Sequence, residues 1–414
     1  MNVIETTAIR LCKEIGTPFY IFDKQGFIDN YESLNQIFKT VYPDYQISYS
    51  YKTNYTPYIC NIVKQLGGYA EVVSDMEYTL AKKIGYDNRQ IVYNGPSKGP
   101  LAIEHLENNG ILNIDSLDEI RRIIHHCNQH PDNNYTCGLR INIDFGGNFI
   151  SRFGLSTSND DIEKAISLID STPNLKLVGL HCHISRHRGL EAWAKRAEIM
   201  LDTADKYIEG VPEYISLGSG MFSDMPKFLK EQFGGNAVPS YQDYAEVAIK
   251  PFAKHYKESN VKPMLFTEPG TTIVARYLNF VSKVLSIKEI RSRQIANMDG
   301  DYHNLGEICT MKQLPVTVIP GGNVQHLYSN LDIMGFTCLE QDVMYPKFDR
   351  PLAEGDILVF NNVGGYSIVS KPQFIKPNCA MFAVDKNDKV ELIMRAETFS
   401  DIFDKFLFPD TNKD

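Results

Sequence analysis

The chain has 414 residues, with Lys+Arg 42 against Asp+Glu 51 and a formal net charge of −9. The lack of a long basic run argues against a nucleic-acid or anionic-membrane surface and favours a small-molecule partner, and the length points to one large domain and a smaller one. The opening "MNVIETTAIRLCKEIG" has no apolar core of signal-peptide type, no stretch approaches the roughly 20 apolar residues of a membrane span, and the cysteines are scattered without paired spacing, so a cytoplasmic protein with reduced thiols is expected.

In chain order, "PFYIFD" near the start reads as a short strand. Next comes "ISYSYKTNY", where period two sets Ile47, Tyr49 and Tyr51 on one face and Ser48, Ser50 and Lys52 on the other. Lys52 closes that strand. Further apolar runs follow at Tyr69 to Val73, Ile91 to Asn94, Ile111 to Ile114, Cys137 to Asn142, Leu177 to His183, Tyr214 to Gly218 and Met264 to Glu268. Between them lie segments of helical period such as "DMEYTLAKKIG", "LDEIRRIIHHCNQH", "DDIEKAISLIDS", "LEAWAKRAEIMLDTADKY" and "DYAEVAIKPFAKHY". Eight strand-helix units predict a parallel (β/α)8 TIM barrel, with an open doubly wound sheet as the competitor. Beyond residue 275, "YLNFVSKVLSIKEI", "LPVTVIP", "GDILVFNNVGGYS", "AMFAVD" and "VELIMR" predict an all-β domain, and the polar segment from Arg291 to Lys312 reads as an excursion outside its core.

In a barrel, the chemically distinctive residues fall at the carboxyl ends of strands, where barrel enzymes do chemistry. Lys52 closes the first strand, His181 and His183 the sixth in "GLHCHISRHRG", Gly218 and Gly220 follow the seventh in "SLGSGMF", and Glu268 closes the eighth in "TEPG". A lysine can form an imine, strand-end glycines let backbone N–H groups approach a phosphate, and a carboxylate can keep a heteroaromatic nitrogen protonated. Together they describe a pyridoxal 5'-phosphate site. Taken singly, each has a blander reading: a solvated lysine, a plain Gly-Ser-Gly turn, a strand end before a proline. "HCH" could also begin a zinc site, but no third ligand lies nearby and no metal is expected.

From "TPFYIFD" to "NVGGYS" the chain resembles the pyridoxal-phosphate-dependent decarboxylases with an alanine-racemase-like fold, the diaminopimelate, ornithine and arginine decarboxylases, and is most similar to the diaminopimelate branch. The resemblance implies that Lys52 in "YSYKTN" carries the cofactor as an imine, that His183 stacks on its ring, that the turn at Gly218 and Gly220 binds its phosphate and that Glu268 pairs with its ring nitrogen. It implies that Tyr366 in "GGYS" reaches the phosphate, and that Arg140 in "LRIN" and Glu71 in "YAEVVS" lie near the ring. Cys338 in "GFTCLEQD" matches a proton donor supplied by the partner subunit, so a homodimer with composite active sites and a small amino-acid substrate are expected. The amino-terminal strand would join the β domain, giving residues 1–25 and 272–414 to that domain and 26–271 to the barrel.

Three motifs depart from the family pattern. Thr271 in "EPGT" stands where an arginine is usual, Ser185 and Arg186 replace the usual Gly-Ser in "HISRHRG", and Leu339 occupies the place of an acid that contacts a distal substrate amine. The expected activity is therefore decarboxylation of an amino acid or amino-acid conjugate, with Arg186, Arg188 and Asp342 as candidate substrate contacts. A racemase on the related fold is one alternative, disfavoured because a carboxylate at Glu268 promotes the carbanion sink that an arginine would restrain. A non-catalytic regulatory relative is another, disfavoured by retention of Lys52, Glu268 and Cys338.

Overall fold

A computed structural model describes residues 2–146 and 150–409. The chain divides into two compact units: Asp29–Asp224 with Phe233–Ile273, and Met1–Ile28 with Met225–Gln232 and Val274–Asp414.

The first unit is a closed parallel barrel. Its strands are β1 (Tyr45–Ser50), β2 (Tyr69–Val72), β3 (Ile91–Tyr93), β4 (Ile111–Ile114), β5 (Tyr135–Asn142), β6 (Leu175–His181), β7 (Tyr214–Ser216) and β8 (Met264–Thr267). Each pairs in parallel with the next, and β8 returns to β1 with Leu265 opposite Tyr45. The eight expected strands are all present, shifted by at most two residues at their starts. Burial on both faces explains the near-continuous apolar runs. Two of the helices begin with the same local device. Ser74 and Ser116 accept the N–H of Glu77 and Glu119, and these glutamates reach back to the N–H of Val73 and Asp115. The segment "DYAEVAIKPFAKHY" is not one regular helix: a π-turn, Ala245–Ile249, interrupts it ahead of Pro251, which has no N–H to give.

The barrel floor is filled by Tyr214, Phe266 and Val178 with Tyr69, Ile111 and Met264 around them. Gly138 and Gly179 make room for the Tyr214 ring, since a Cβ at either would lie 2.0 or 2.3 Å from it. Above the floor, a polar ladder climbs the interior. Tyr214 donates to Asn113 Oδ1 (2.8 Å), Asn113 to Asn94 Oδ1 (2.8 Å), and Asn94 to Glu71 and Glu268 (3.2 and 3.1 Å). Every rung is satisfied, as burial of amides and carboxylates demands.

In the second unit, strand Phe19–Asp23 lies antiparallel to Leu278–Ile290 and parallel to Ala380–Val384. Helix Val3–Ile15 packs Ile4, Ala8 and Leu11 onto Phe19, Ile21, Val281, Val359 and Val384. The polar segment beginning at Arg291 departs from expectation. Arg293–Met298 is a strand inside the sheet, hydrogen-bonded to Leu278–Ile290 on one side and Leu331–Met334 on the other. A two-residue turn, Arg291 and Ser292, joins it to its neighbour with both φ angles positive, at 49° and 66°. Such turns favour Asn-Gly, and an Arg-Ser pair carries no hairpin signal.

Candidate active site

β1 ends at Ser50 and the chain tightens into a single 3₁₀ turn, Tyr51–Thr53, that carries Lys52. Gly270 after β8 is obligatory beside this turn, because a Cβ there would lie 2.0 Å from Thr53 Oγ1. Lys52 Nζ pairs with Glu71 Oε2 at 2.5 Å, and Ser50 donates to the same oxygen at 2.5 Å. Lys52 is thereby held over the barrel mouth rather than extended into water.

Glu268 lies at the centre, fully buried. Its Oε1 accepts from Asn94 (3.1 Å) and Ser216 (2.8 Å), and its Oε2 from His181 Nε2 (3.0 Å). Burial by itself would raise this carboxyl, but His181 and Lys52 outweigh it and hold Glu268 below the usual carboxylate range. It is an ionised acceptor. His183 behaves oppositely: burial, helped by Lys52 and Arg140, pushes it well below its ordinary value, so the ring is neutral and its Nδ1 accepts the Ser219 N–H at 3.3 Å. The partner of Glu268 is thus His181, which sequence reading placed at the strand end without a role.

Gly218 and Gly220 form the turn after β7 with φ of 60° and 103°, and a Cβ at either would strike a carbonyl, Cys182 O at 2.2 Å or Ile184 O at 2.3 Å. Only glycine allows the two strand-end loops to pack backbone on backbone. Arg140 pairs with Asp115 (3.2 Å) and lies over the Phe153 ring, 4.7 Å from its centroid. Asn142 holds that loop by donating to Ser151 O and Phe153 O. The buried side chain of Lys98 pairs with Glu119 (2.7 Å) and donates to Gly95 O (2.8 Å), fixing the loop after β3.

Lys52, Glu71, Arg140, His181, His183 and Glu268 line one cavity of about 430 Å³, together with Asn94, Ser151, Arg152 and Ser185. Arg186 and Arg188 are not among its lining residues; Arg188 lies over Phe222, 5.7 Å from the ring centroid. The arginines lining this cavity are Arg140, expected near the ring, and Arg152, which a strand-end pattern could not single out. Cys338, Asp342 and Tyr366 belong to the second unit. There Asp342 is buried, and its carboxylate accepts the Tyr302 N–H (2.9 Å), the Thr337 N–H (3.0 Å) and the Thr337 hydroxyl (2.6 Å). It shapes the turn that carries the exposed Cys338. Tyr366 has φ of 62°, a strained left-handed conformation for a non-glycine residue that its surroundings must enforce.

Chemically, one cavity holds an amine, a neutral imidazole and an ionised carboxylate, flanked by a glycine turn. Residues 29–275 match the family model described as "Pyridoxal-dependent decarboxylase, pyridoxal binding domain". The chain is 25% identical over 421 residues to the diaminopimelate decarboxylase of Methanocaldococcus jannaschii, covering 97% of this chain and 94% of that one. It is 27% identical over 378 residues to the Staphylococcus aureus enzyme of the same name, covering 86% and 85%. The solved structure of the diaminopimelate decarboxylase from M. jannaschii superposes with a TM-score of 0.84 at 26% identity, covering 97% and 95% of the two chains. That of lysine decarboxylase from Selenomonas ruminantium is similar in fold, with a TM-score of 0.70 at 20% identity over 93% and 96%.

Proposed function

This chain belongs to the pyridoxal-dependent decarboxylases, and from that premise we propose that it removes the α-carboxylate of an amino acid, free or conjugated, whose distal group is acidic or uncharged. The observation that carries the reading is the convergence of Lys52, His183 and an ionised Glu268 on one cavity. The residues fit the cofactor: the cavity has the volume of a small-ligand site, Lys52 offers the amine, and the buried, ionised Glu268 offers a partner for a protonated ring nitrogen.

Pyridoxal 5'-phosphate, when bound, supplies an aldehyde for the substrate amine and an electron-poor ring that accepts the pair released with carbon dioxide. Lys52 would hold the aldehyde until substrate arrives and reclaim it to release product. Glu268, kept ionised by His181, would hold a proton on the ring nitrogen, and the neutral face of His183 would bound the ring. Glu71 orients the Lys52 amine through the 2.5 Å contact. Cys338 of the partner subunit would deliver the proton that replaces the carboxylate, with Tyr366 reaching the phosphate, in a cytoplasmic homodimer with shared sites.

The substrate reading rests on charge. Glu71 and Glu268 are the carboxylates lining the cavity, and both are engaged, with Lys52 and with His181. A distal ammonium would find no acid at Leu339, and an unpaired charge in a closed site costs several kcal/mol. Arg152, which also lines the cavity, favours an acidic or neutral group instead.

Mass-spectrometric profiling of amino acids and amino-acid conjugates for loss of carbon dioxide tests reaction and substrate together. Efficient turnover of diaminopimelate, lysine or ornithine would overturn the substrate reading, and inversion without loss of carbon dioxide would identify a racemase. Borohydride reduction and peptide mapping should place a pyridoxyl group on Lys52 rather than on any other lysine.

A further inference from the structure

Arg196 is a buried cation that the chemistry at Lys52 and Glu268 does not use. It projects from helix Leu190–Tyr207 and is fully buried. Its Nη1 donates to Leu217 O (2.7 Å) and Ser219 O (2.9 Å), and its Nη2 to Ile184 O (3.3 Å). The guanidinium lies on Trp193, 4.1 Å from the ring centroid, and its Nε has no hydrogen-bond partner. Among the described residues it forms no ion pair with a carboxylate. An arginine buried on carbonyl oxygens alone keeps its whole charge, and such a charge is costly until something neutralises it.

The turn that it grips is the glycine turn beside the cavity. Its other carbonyls are taken as well: Ser216 O accepts from Cys182 N (2.9 Å) and Gly218 O from Glu268 N (2.8 Å). Four consecutive carbonyls, from 216 to 219, therefore have fixed donors. In a trans peptide, the C=O of one residue and the N–H of the next point in opposite directions. Because Arg196 holds Leu217 O and Ser219 O, it turns the N–H groups of Gly218 and Gly220 away from itself. The Gly218 N–H donates to Ser216 Oγ (3.2 Å) and the Ser219 N–H to His183 Nδ1 (3.3 Å), whereas the Gly220 N–H has no acceptor among the described residues. An open N–H on a turn with a buried cation behind it is placed to hold an oxygen of an anion.

We propose that Arg196 is a positioning residue for the phosphate of the cofactor: it sets the peptide planes of the 216–220 turn and supplies, one peptide layer behind them, the positive charge that the phosphate dianion neutralises. The inference rests on the cofactor reading of the site and adds the group that selects the phosphorylated form.

The test uses apoprotein of the native chain, Arg196→Met and Arg196→Lys, titrated with pyridoxal 5'-phosphate and, separately, with pyridoxal, followed by absorbance. Arg196→Met should weaken the phosphorylated form by about 30-fold while leaving pyridoxal within about threefold, and Arg196→Lys should recover part of the loss, as expected for a hydrogen-bonded charge. Equal weakening of both compounds, or of neither, would overturn the proposal, because a merely structural arginine does not distinguish them. Should Arg196→Met fail to fold, the native holoprotein decides: its ³¹P resonance should not titrate near the phosphate pKa of about 6, and titration like that of free cofactor would overturn the proposal. Borohydride trapping on Lys52 in the same native preparation separates the two levels, since its absence would strike the cofactor reading rather than Arg196.

Discussion

Glu77 shows how a single residue carries the strain of a polar barrel mouth. It is 4% exposed, its carboxylate accepts the Val73 N–H at 2.8 Å, and burial raises its pKa from 4.5 to about 7, with Glu71 adding to the rise. In the window between those values the unfolded chain is ionised at this position while the folded one keeps its proton. Folding stability therefore falls as pH rises through the window and levels off above it. A shift of this size amounts to roughly 3 kcal/mol. Glu77→Gln keeps an acceptor for Val73 and removes the titration. Its stability relative to the native chain should rise from pH 5 to pH 8 by up to that amount in urea unfolding, and a difference independent of pH would refute the assignment. Glu268 is the reverse case, a carboxylate whose ionised form the fold secures through His181, Ser216 and Asn94. Glu268→Gln should leave the protein folded and lower kcat by about 100-fold or more, since the ring nitrogen loses its charged partner.

At the scale of elements, two turns decide more than their lengths suggest. The glycine turn after β7 tolerates no side chain at Gly218, where a Cβ would lie 2.2 Å from Cys182 O and φ is 60°. Gly218→Ala should cost about 1–3 kcal/mol in stability and weaken cofactor binding with it, measurable by melting with and without pyridoxal 5'-phosphate. The hairpin turn of the β unit poses the opposite problem, with Arg291 and Ser292 in a conformation that glycine and asparagine adopt more readily. Replacing Arg291-Ser292 by Asn-Gly should stabilise the protein by about 1 kcal/mol without touching activity. An unchanged or lower midpoint would show that the hairpin is not held as described.

At the scale of the whole molecule, the prediction concerns assembly. If Cys338 serves the partner's Lys52, a Lys52→Ala chain and a Cys338→Ala chain, each nearly inactive alone, regain activity when mixed. Random exchange makes half of the dimers hybrid, with one of two sites intact, so about one quarter of native activity should return. Subunit exchange, shown by mass, without any recovery would rule the shared site out.

The sequence by itself determined the barrel, its strand positions within two residues, and the placement of Lys52, His183, Gly218, Gly220 and Glu268 at strand ends, because period two, period 3.6 and strand-end motifs are written locally along the chain. It could not reveal that Glu268 pairs with His181, 87 residues away, that Asn94 and Asn113 carry a polar ladder from Tyr214, or that Lys98 pairs with Glu119. Nor did it distinguish Arg196, buried beneath the glycine turn, from a surface arginine, or separate Arg152 in the cavity from Arg186 and Arg188 outside its lining. The strand Arg293–Met298 was read as an excursion because its residues are polar and its turn lacks glycine; its neighbours in the sheet supply what its own pattern lacks. Periodicity records which face of an element is buried. Which polar groups meet inside that burial is settled when elements distant along the chain close around one another, and only there does a lone histidine, asparagine or arginine acquire its partner.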